Sequence, residues 1–260
     1  MTSPIEPRTA SLYHASRAPA VEPLVAVAIL AAAMATYLVA AAVMPLWLAL
    51  IAAQLALAVV PCAAMRVVHR ARPLAALGLR GARPRFFAAA IAIGATAWYL
   101  NMCLVSVLPV PEQQVHELEA LVDQPPLWRA LATFALLPAI CEEVAFRGVL
   151  ARSLGRRLPL VAAAVISAVV FSAYHVSLVQ ALPTLTLGLM LAVIAIRADS
   201  IAPTIVAHAI NNALAIALSR GDLPRIAEWI SRHPNPALAG CAAATTAGIV
   251  IAARGSPGAR

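Results

Sequence analysis

Long runs of apolar residues are the feature that most constrains how this chain can fold. Stretches of about 17 to 25 apolar residues can cross a bilayer as helices, and the sequence contains about eight of them. They are residues 24–43, 45–65, 86–108, 128–150, 159–175, 180–196, 201–218 and 237–253. Of all residues 62% are hydrophobic and 12% charged, whereas soluble domains are roughly half apolar and one quarter charged. The sequence therefore predicts an all-α fold, a polytopic transmembrane helical bundle, and excludes a soluble enzyme.

The charged residues lie mostly between these runs and predict the orientation of the chain. All 19 basic residues are arginines, and several of them fall in segment 66–85, which has no acidic residue. Segment 109–127 has acidic residues and no arginine. Because short cytoplasmic loops are enriched in basic residues, segment 66–85 and both termini are predicted to be cytoplasmic. The excess of arginine and alanine indicates a bacterial source. We therefore expect a multi-pass protein of the inner (cytoplasmic) membrane, with the lipid bilayer and not nucleic acid as its partner.

Ionisable residues within an apolar span are costly and are functional candidates by default. Glu142, Glu143 and Arg147 lie in the fourth run. Glu143 precedes Arg147 by four residues, the favourable order for an ion pair on a helix, so this pair is predicted to brace the bundle. Glu142 points about 100° away from Glu143 and has no local partner. It is therefore the candidate for acid–base chemistry or ligation.

Two further groups of polar residues interrupt the apolar runs. His175 ends the fifth run and, taken alone, is typical of an interfacial residue. His208 and Asn212 share one face of the seventh run. They either join helices by hydrogen bonds or form an imidazole with an amide that stabilises an oxyanion. Together with Glu142, the two histidines predict a site that activates a water, as a general base or through a bound metal.

Three motifs, in this order on separate helices, resemble those of the CPBP family, the CAAX-protease and bacteriocin-processing (Abi) intramembrane peptidases. They are Glu142-Glu143-x-x-x-Arg147, Phe171-x-x-x-His175 and His208-x-x-x-Asn212. Two shorter segments are also similar to that family, namely Phe146-Arg147-Gly148 and Leu77-Gly78-Leu79-Arg80. The resemblance implies an intramembrane endopeptidase of the CAAX-like type.

The resemblance also implies a role for each matching residue. Glu142 matches the glutamate that activates the attacking water, and His175 matches the histidine that helps to hold that water or a metal. His208 and Asn212 match the pair that stabilises the oxyanion of the tetrahedral intermediate. The supporting positions are Glu143, Arg147, Phe146 and Phe171.

The resemblance covers roughly residues 75–218, which predicts four parts of the chain. Residues 1–23 form a cytoplasmic N-terminal segment, residues 24–65 a transmembrane hairpin that turns at Pro45, and residues 75–218 the CPBP-like peptidase core. Residues 219–260 contain a loop, the last span and a cytoplasmic tail. The predicted partner is a membrane-associated protein or peptide that is cut in its C-terminal tail or leader. In some relatives that tail is prenylated, whereas in a bacterium peptide maturation or processing of a C-terminal anchor is more plausible.

The cofactor stays open between a metallo-type and a metal-free glutamate-type protease. Glu142, His175 and His208 would suit a divalent metal such as zinc. The sequence contains no HExxH motif, so a zincin-type site is not indicated. The four cysteines have no metal-ligand spacing.

Several alternatives remain beside the protease hypothesis. The Glu/His cluster could only brace helices in a non-enzymatic immunity or scaffold protein, or it could form a relay in a proton-coupled transporter. Cys141 could act as a nucleophile with either histidine. We expect Cys141 to be a packing residue, because it points about 100° away from Glu142 and apolar surroundings disfavour the thiolate.

One geometric expectation bears on whether Glu142 and His175 belong to one site. The fourth and fifth runs cross in opposite directions, so helix rise predicts that His175 lies about 10 Å further out than Glu142. Tilt or an offset of the helix ends could close this gap. A separation of more than about 8 Å, with no room for a shared water, would count against one site.

Overall fold

The computed structural model describes residues 23–67, 70 and 72–254. Within these residues the chain is helical and has no strand, which confirms the predicted all-α fold. Its helices are α1 (Pro23–Val43), α2 (Leu46–Val67), α3 (Pro73–Ala76), α4 (Pro84–Val105), α5 (Glu112–Asp123), α6 (Leu127–Ala130), α7 (Leu137–Glu142), α8 (Arg152–Leu154), α9 (Leu160–Tyr174), α10 (Leu178–Ala198), α11 (Ala202–Ser219), α12 (Pro224–Arg232) and α13 (Pro234–Ala253). Most of the predicted N-terminal segment and the end of the predicted tail lie outside the described residues.

Six helices of the described chain are long and apolar enough to cross a membrane, namely α1, α2, α4, α10, α11 and α13. The predicted fifth span is α9, a shorter apolar helix of 15 residues. The predicted fourth span lies within a longer helical stretch, residues 127–154, that is not one regular α-helix. The chain is therefore a multi-pass membrane protein built as a helical bundle.

Residues 127–154, called here the composite helix, alternate between α-helical and wider π-helical turns. The π segments are Leu131–Leu136 and Glu143–Ala151, and they flank α7. Pro138 stands in the first turn of α7, where its ring cannot donate to a carbonyl four residues earlier. Such π turns are frequent at functional sites. The composite helix also continues to Leu154, four residues past the predicted end of the fourth span.

The bundle packs in two halves around two main apolar clusters. One cluster joins α1, α2, the second half of the composite helix and α9, while the other joins α4, α10, α11 and α13. In the half built from α4, α10, α11 and α13, small residues let neighbouring helices pack closely. A Cβ at Gly94 of α4 would lie 2.5 Å from the carbonyl oxygen of Ala207 of α11, so glycine lets these two helices touch.

One end of the bundle is closed by an ionic cluster of Arg80, Arg152 and Asp199. Arg80 and Arg152 both donate to the carboxylate of Asp199, the residue that follows α10. Arg152 also donates to the carbonyl of Ala76 at 2.9 Å, beside Gly78, whose φ of 83° favours glycine. The Leu77–Arg80 segment therefore has a structural part in the fold. The cluster brings the loop that follows α3, the end of the composite helix and the loop that follows α10 together at the same end of the bundle.

Candidate active site

Glu142 is the last residue of α7 and is buried, with 4% of its surface exposed. Its Oε1 accepts a hydrogen bond of 2.7 Å from Nε2 of Gln54, which comes from α2. Its Oε2 is buried and has no hydrogen-bond partner among the described residues. A buried carboxylate oxygen without a donor is unusual in folded proteins and marks a position that can bind a ligand or a water.

His175 follows directly after α9 and turns its imidazole towards Glu142. Its Nδ1 lies 2.9 Å from the carbonyl oxygen of Phe171, which can only accept, so Nδ1 carries the proton. Its Nε2 lies 4.0 Å from Oε2 of Glu142. The next residue, Val176, has a φ of 48°, which is rare for a β-branched side chain. This turn separates α9 from α10, which begins at Leu178 with Ser177 as its N-cap.

His208 lies on α11 between the two carboxylates. Its Nδ1 is 2.9 Å from Oε1 of Glu143, and its Nε2 is 3.8 Å from Oε2 of Glu142. The same Oε1 of Glu143 accepts a bond of 2.8 Å from Nη1 of Arg147. Glu143 and Arg147 are both fully buried, so the predicted brace between them is present. Glu143 therefore connects Arg147 to His208 and orients the imidazole.

Glu142, His175 and His208 therefore converge on one point in the bundle. The expectation that His175 lies about 10 Å further out than Glu142 is wrong. The composite helix runs four residues further than predicted, which moves the turn before α9 inward by about 6 Å relative to Glu142. Both Nε2 atoms lie near the unpartnered Oε2 of Glu142, at 4.0 and 3.8 Å, which is too far for a direct hydrogen bond. All three side chains line the adjoining cavity, which has room for a water.

Aromatic rings form the wall behind these polar groups. Phe146 and Phe171 are fully buried and meet edge to face, with centroids 4.9 Å apart. The ring of Phe171 also contacts His175, with centroids 4.8 Å apart, and lies 4.1 Å below the guanidinium of Arg147. The two phenylalanines predicted as supporting residues thus hold the histidine and the arginine in place.

Asn212 makes its hydrogen bonds away from the histidines. Its Nδ2 donates to the carbonyl oxygen of Phe134 at 3.3 Å, and its Oδ1 accepts from Nδ2 of Asn211. Pro138 has no N–H for the carbonyl of Phe134, four residues earlier, so Asn212 supplies the missing donor. The structure therefore shows the helix-joining contact expected of this amide. Its second N–H remains available to a ligand.

The site opens into a cavity of about 870 Å³ that is lined mostly by apolar residues. Side chains from both halves of the bundle and from the amphipathic helix α5 form its walls. The polar groups of the wall include Gln54, Glu142, His175, His208, Asn101, Asn211 and Asn212. A large apolar cavity with a few converging polar groups is the usual form of a ligand site.

The donor types of the site match those of a zinc site, but their spacing does not. Both histidines donate Nδ1–H to an oxygen, as metal-binding histidines do, which leaves Nε2 for a ligand. Tetrahedral zinc holds such atoms about 3.4 Å apart, whereas here they lie 3.8 and 4.0 Å from Oε2 of Glu142. Within the described residues, no group of three or more His, Cys, Asp or Glu side chains could hold a metal ion.

Two residues near the site show where the sequence patterns were sufficient and where they were not: Cys141 is the packing residue that was expected, and Gln54 was not predicted. Cys141 is buried in the apolar core and is not among the residues that line the cavity, which disfavours it as a nucleophile. Gln54 was missed, although a single amide in the apolar run of α2 is the kind of signal that marks a functional position. Only the folded chain shows that its partner is Glu142.

Residues 124–214 match the family model described as "Type II CAAX prenyl endopeptidase Rce1-like". The matched region contains the composite helix, α9 and the part of α11 that includes His208 and Asn212. No curated protein and no solved structure matches the chain. The match confirms the resemblance inferred from the three motifs and supports a CAAX-type protease. Residues 124–214 of this chain therefore match a model of the CPBP group of CAAX proteases, the family that the three motifs resemble.

Proposed function

We propose that this protein is an intramembrane endopeptidase that hydrolyses a peptide bond in a membrane-associated protein or peptide. The observation that carries this proposal is the unpartnered Oε2 of Glu142, which two histidine Nε2 atoms face inside an apolar cavity. The family match supports the same reaction class. A carboxylate that is short of donors and has room for one water is suited to act as a general base.

Glu142 removes a proton from the water as the water oxygen attacks the carbonyl carbon of the substrate. Nε2 of His175 accepts the second hydrogen bond of the water, because its Nδ1–H is already given to Phe171. The tetrahedral intermediate then collapses and the C–N bond breaks. Glu142 returns its proton to the leaving amine, so the carboxylate is regenerated and the products are a free acid and an amine.

The oxyanion of the intermediate needs hydrogen-bond donors. We propose His208 as one of them, because Glu143 binds its Nδ1 and so orients its Nε2 towards Glu142 in the cavity wall. Asn212 provides a second through the N–H that Phe134 does not use. Glu143 and Arg147 act through His208, whose ring they hold in one orientation. Fixed donors of this kind stabilise the charge that develops in the transition state.

The apolar cavity favours an extended segment of a membrane-anchored substrate. The family description names prenyl endopeptidases, so the first substrate class to test is a peptide whose cysteine carries a prenyl group. The second class is the leader or C-terminal anchor of another membrane protein. The arginine-rich loops support a further part of this proposal, namely that both termini are cytoplasmic and that the protein lies in a bacterial inner membrane.

A divalent metal such as zinc is the rival for activating the water: the donor types at Glu142, His175 and His208 match a catalytic zinc site, but their spacing in this structure does not. A bound metal would polarise the water and the substrate carbonyl. A chelator followed by metal add-back on the purified protein distinguishes the two candidates. Unchanged cleavage after metal removal supports the glutamate mechanism, and recovery of lost cleavage by added metal supports the metallo-type.

The test of the proposed function compares wild type with Glu142→Gln in lipid nanodiscs. The probe is an internally quenched peptide that ends in a farnesylated cysteine and three further residues. In parallel, the membrane proteins of cells that express either form are compared for new termini by mass spectrometry. We expect cleavage by wild type and none by the folded variant. Cleavage by neither form, together with lower stability of the variant, would favour the scaffold alternative, and uptake into vesicles without a cleaved product would favour the transporter.

A further inference from the structure

Gln54 lies outside the region that matches the family model and outside the predicted peptidase core, yet it contacts the proposed base. It belongs to α2, the second helix of the N-terminal hairpin, and is the one amide in an otherwise apolar run from residue 46 to residue 65. Its Nε2 is 2.7 Å from Oε1 of Glu142. Burying an amide in a bilayer span is unfavourable unless the amide is hydrogen-bonded. Here the hydrogen bond goes to Glu142, the proposed general base.

The orientation of the Gln54 amide follows from the chemistry of its partner. A carboxylate oxygen only accepts hydrogen bonds, so the amide nitrogen must face Glu142. The amide oxygen, Oε1, then points away and is buried without a partner among the described residues. Gln54 and Glu142 both line the cavity, so the amide and the carboxylate that it binds belong to the same wall.

This bond fixes the plane of the Glu142 carboxylate relative to the two histidines. The terminal torsion of a glutamate is broad and roughly two-fold, so an unrestrained carboxylate can turn. With Oε1 bound to Gln54, Oε2 is the oxygen that faces Nε2 of His175 and of His208. Hydrogen bonds to an ionised group are stronger than neutral ones, which makes this restraint effective.

The position of Gln54 is itself fixed by packing. Ala53 and Leu57, on either side of it in α2, are buried, and Leu57 belongs to the same apolar cluster as Phe146 and Phe171. Helix α2 packs against α7 and the second π segment, the two elements that supply Glu142 and Glu143. The hairpin therefore holds the amide rigidly beside the carboxylate.

We propose that Gln54 is a positioning residue for Glu142, so that the N-terminal hairpin completes the catalytic site. This inference rests on the proposed function, in which Glu142 is the general base. Residues 124–214, which match the family model, therefore lack one residue that the proposed chemistry requires, because Gln54 lies outside them.

The test measures cleavage of the quenched farnesylated peptide by the full-length protein in nanodiscs. In Gln54→Met the side chain keeps its size but loses the donor. We expect kcat to fall about 10–100-fold, as for partners that orient catalytic or metal-bound groups, with KM within about twofold. The control is Leu55→Met, the next residue of α2, which is 47% exposed on the lipid side. It should leave both constants unchanged.

A second variant and a second measurement protect the test against simple misfolding. Gln54→Asn keeps the amide but withdraws it by one methylene, so it should also lower kcat if Gln54→Met does not fold. A thermal-stability cycle of Gln54→Met, Glu142→Gln and the double variant needs no substrate. Direct contact predicts that the two effects do not add.

The outcomes separate this inference from the proposed function. Wild-type kcat in folded Gln54→Met, or an effect on KM alone, overturns the positioning role of Gln54. If Glu142→Gln is inactive in the same assay, the proposed function is unaffected by that result. Additive effects in the stability cycle overturn the contact itself. Full activity of Glu142→Gln, or no cleavage by wild type, overturns the proposed function and with it the role of Gln54.

Discussion

The bundle contains two ionic clusters, one buried at the active site and one partly exposed around Asp199, and their hydrogen bonding differs. At one end, both carboxylate oxygens of Asp199 accept from a guanidinium, Oδ1 from Arg152 and Oδ2 from Arg80. At the active site, Glu142 and Glu143 each keep one buried oxygen, Oε2, without a partner among the described residues. Both clusters combine arginine with carboxylate, so composition alone does not separate them.

The difference indicates which cluster serves the fold and which serves chemistry. Buried polar atoms are almost always hydrogen-bonded, and a cluster that satisfies its carboxylate on both oxygens gains nothing from a further ligand. The site around Glu142 has acceptors that a water or a substrate can satisfy. We therefore expect substitutions at the active site to lower turnover more than stability, and substitutions at Asp199 to do the reverse.

The largest effect is expected for Glu142→Gln. The amide keeps the size of the side chain but cannot accept a proton, so kcat should fall about 10²–10⁴-fold. Peptide cleavage measures turnover, and the melting temperature of the same preparation measures stability. Glu119→Gln in α5 is the matched control, because Glu119 is more than half exposed and is not among the cavity-lining residues. A folded Glu142→Gln with wild-type turnover would remove Glu142 from the chemistry.

Glu143→Gln should have a smaller effect on turnover and a larger one on stability. It removes the charge that binds both Arg147 and His208, so the imidazole loses its orientation and kcat should fall about 10–100-fold. The fully buried guanidinium of Arg147 also loses its ionic partner, which should lower the melting temperature. Turnover and melting temperature of Glu142→Gln and Glu143→Gln are compared side by side. An unchanged melting temperature would show that the brace is not needed for the fold.

Much of this comparison was already predictable from the sequence, because spacing along a helix is a local property. The four-residue interval between Glu143 and Arg147 predicted their ion pair. The cost of ionisable groups in apolar runs identified Glu142 and His208 as candidate functional residues. The all-α bundle followed from the apolar runs in the same way. Each of these inferences needed only residues within one helix.

The features that the sequence did not reveal depend on contacts between helices or on irregular backbone. The bond from Gln54 to Glu142 joins positions 88 residues apart. The prediction from regular helix rise put His175 too far from Glu142, because it did not include the π turns or the four extra residues of the composite helix. The bond from Asn212 to Phe134 depends on Pro138 in another helix. No periodicity within one run contains this information.

Asp199→Asn tests the structural cluster. The residue has a φ of 48°, which asparagine tolerates, so the change removes charge without straining the backbone. Arg152 is buried and loses its carboxylate partner, but Asp199 is 38% exposed and partly screened, so we expect a loss of about 1–2 kcal/mol in unfolding free energy. The kcat of the folded protein should stay within about twofold of wild type. Thermal unfolding in nanodiscs and peptide cleavage measure the two quantities.

The matched control for that variant is Asp222→Asn, which breaks a pair with Arg220 near the other end of the bundle. Arg220 keeps its bonds to the carbonyl oxygens of Val122 and Pro125, so the control should cost less than about 1 kcal/mol. A loss of turnover in Asp199→Asn with an unchanged melting temperature would contradict the division between the two clusters.

The smallest effect is expected for Cys141→Ala, which changes the residue next to Glu142 without touching either cluster. Cys141 is 3% exposed and packs in the apolar core, away from the cavity. Loss of its sulfur leaves a small void, so unfolding free energy should drop by about 1 kcal/mol while kcat stays within about twofold. A cysteine nucleophile would instead lose nearly all activity on this change. Because Cys141 and Glu142 are neighbours in the chain, opposite outcomes for the two variants would show that orientation within the bundle, and not depth in the membrane, assigns the chemistry to the carboxylate.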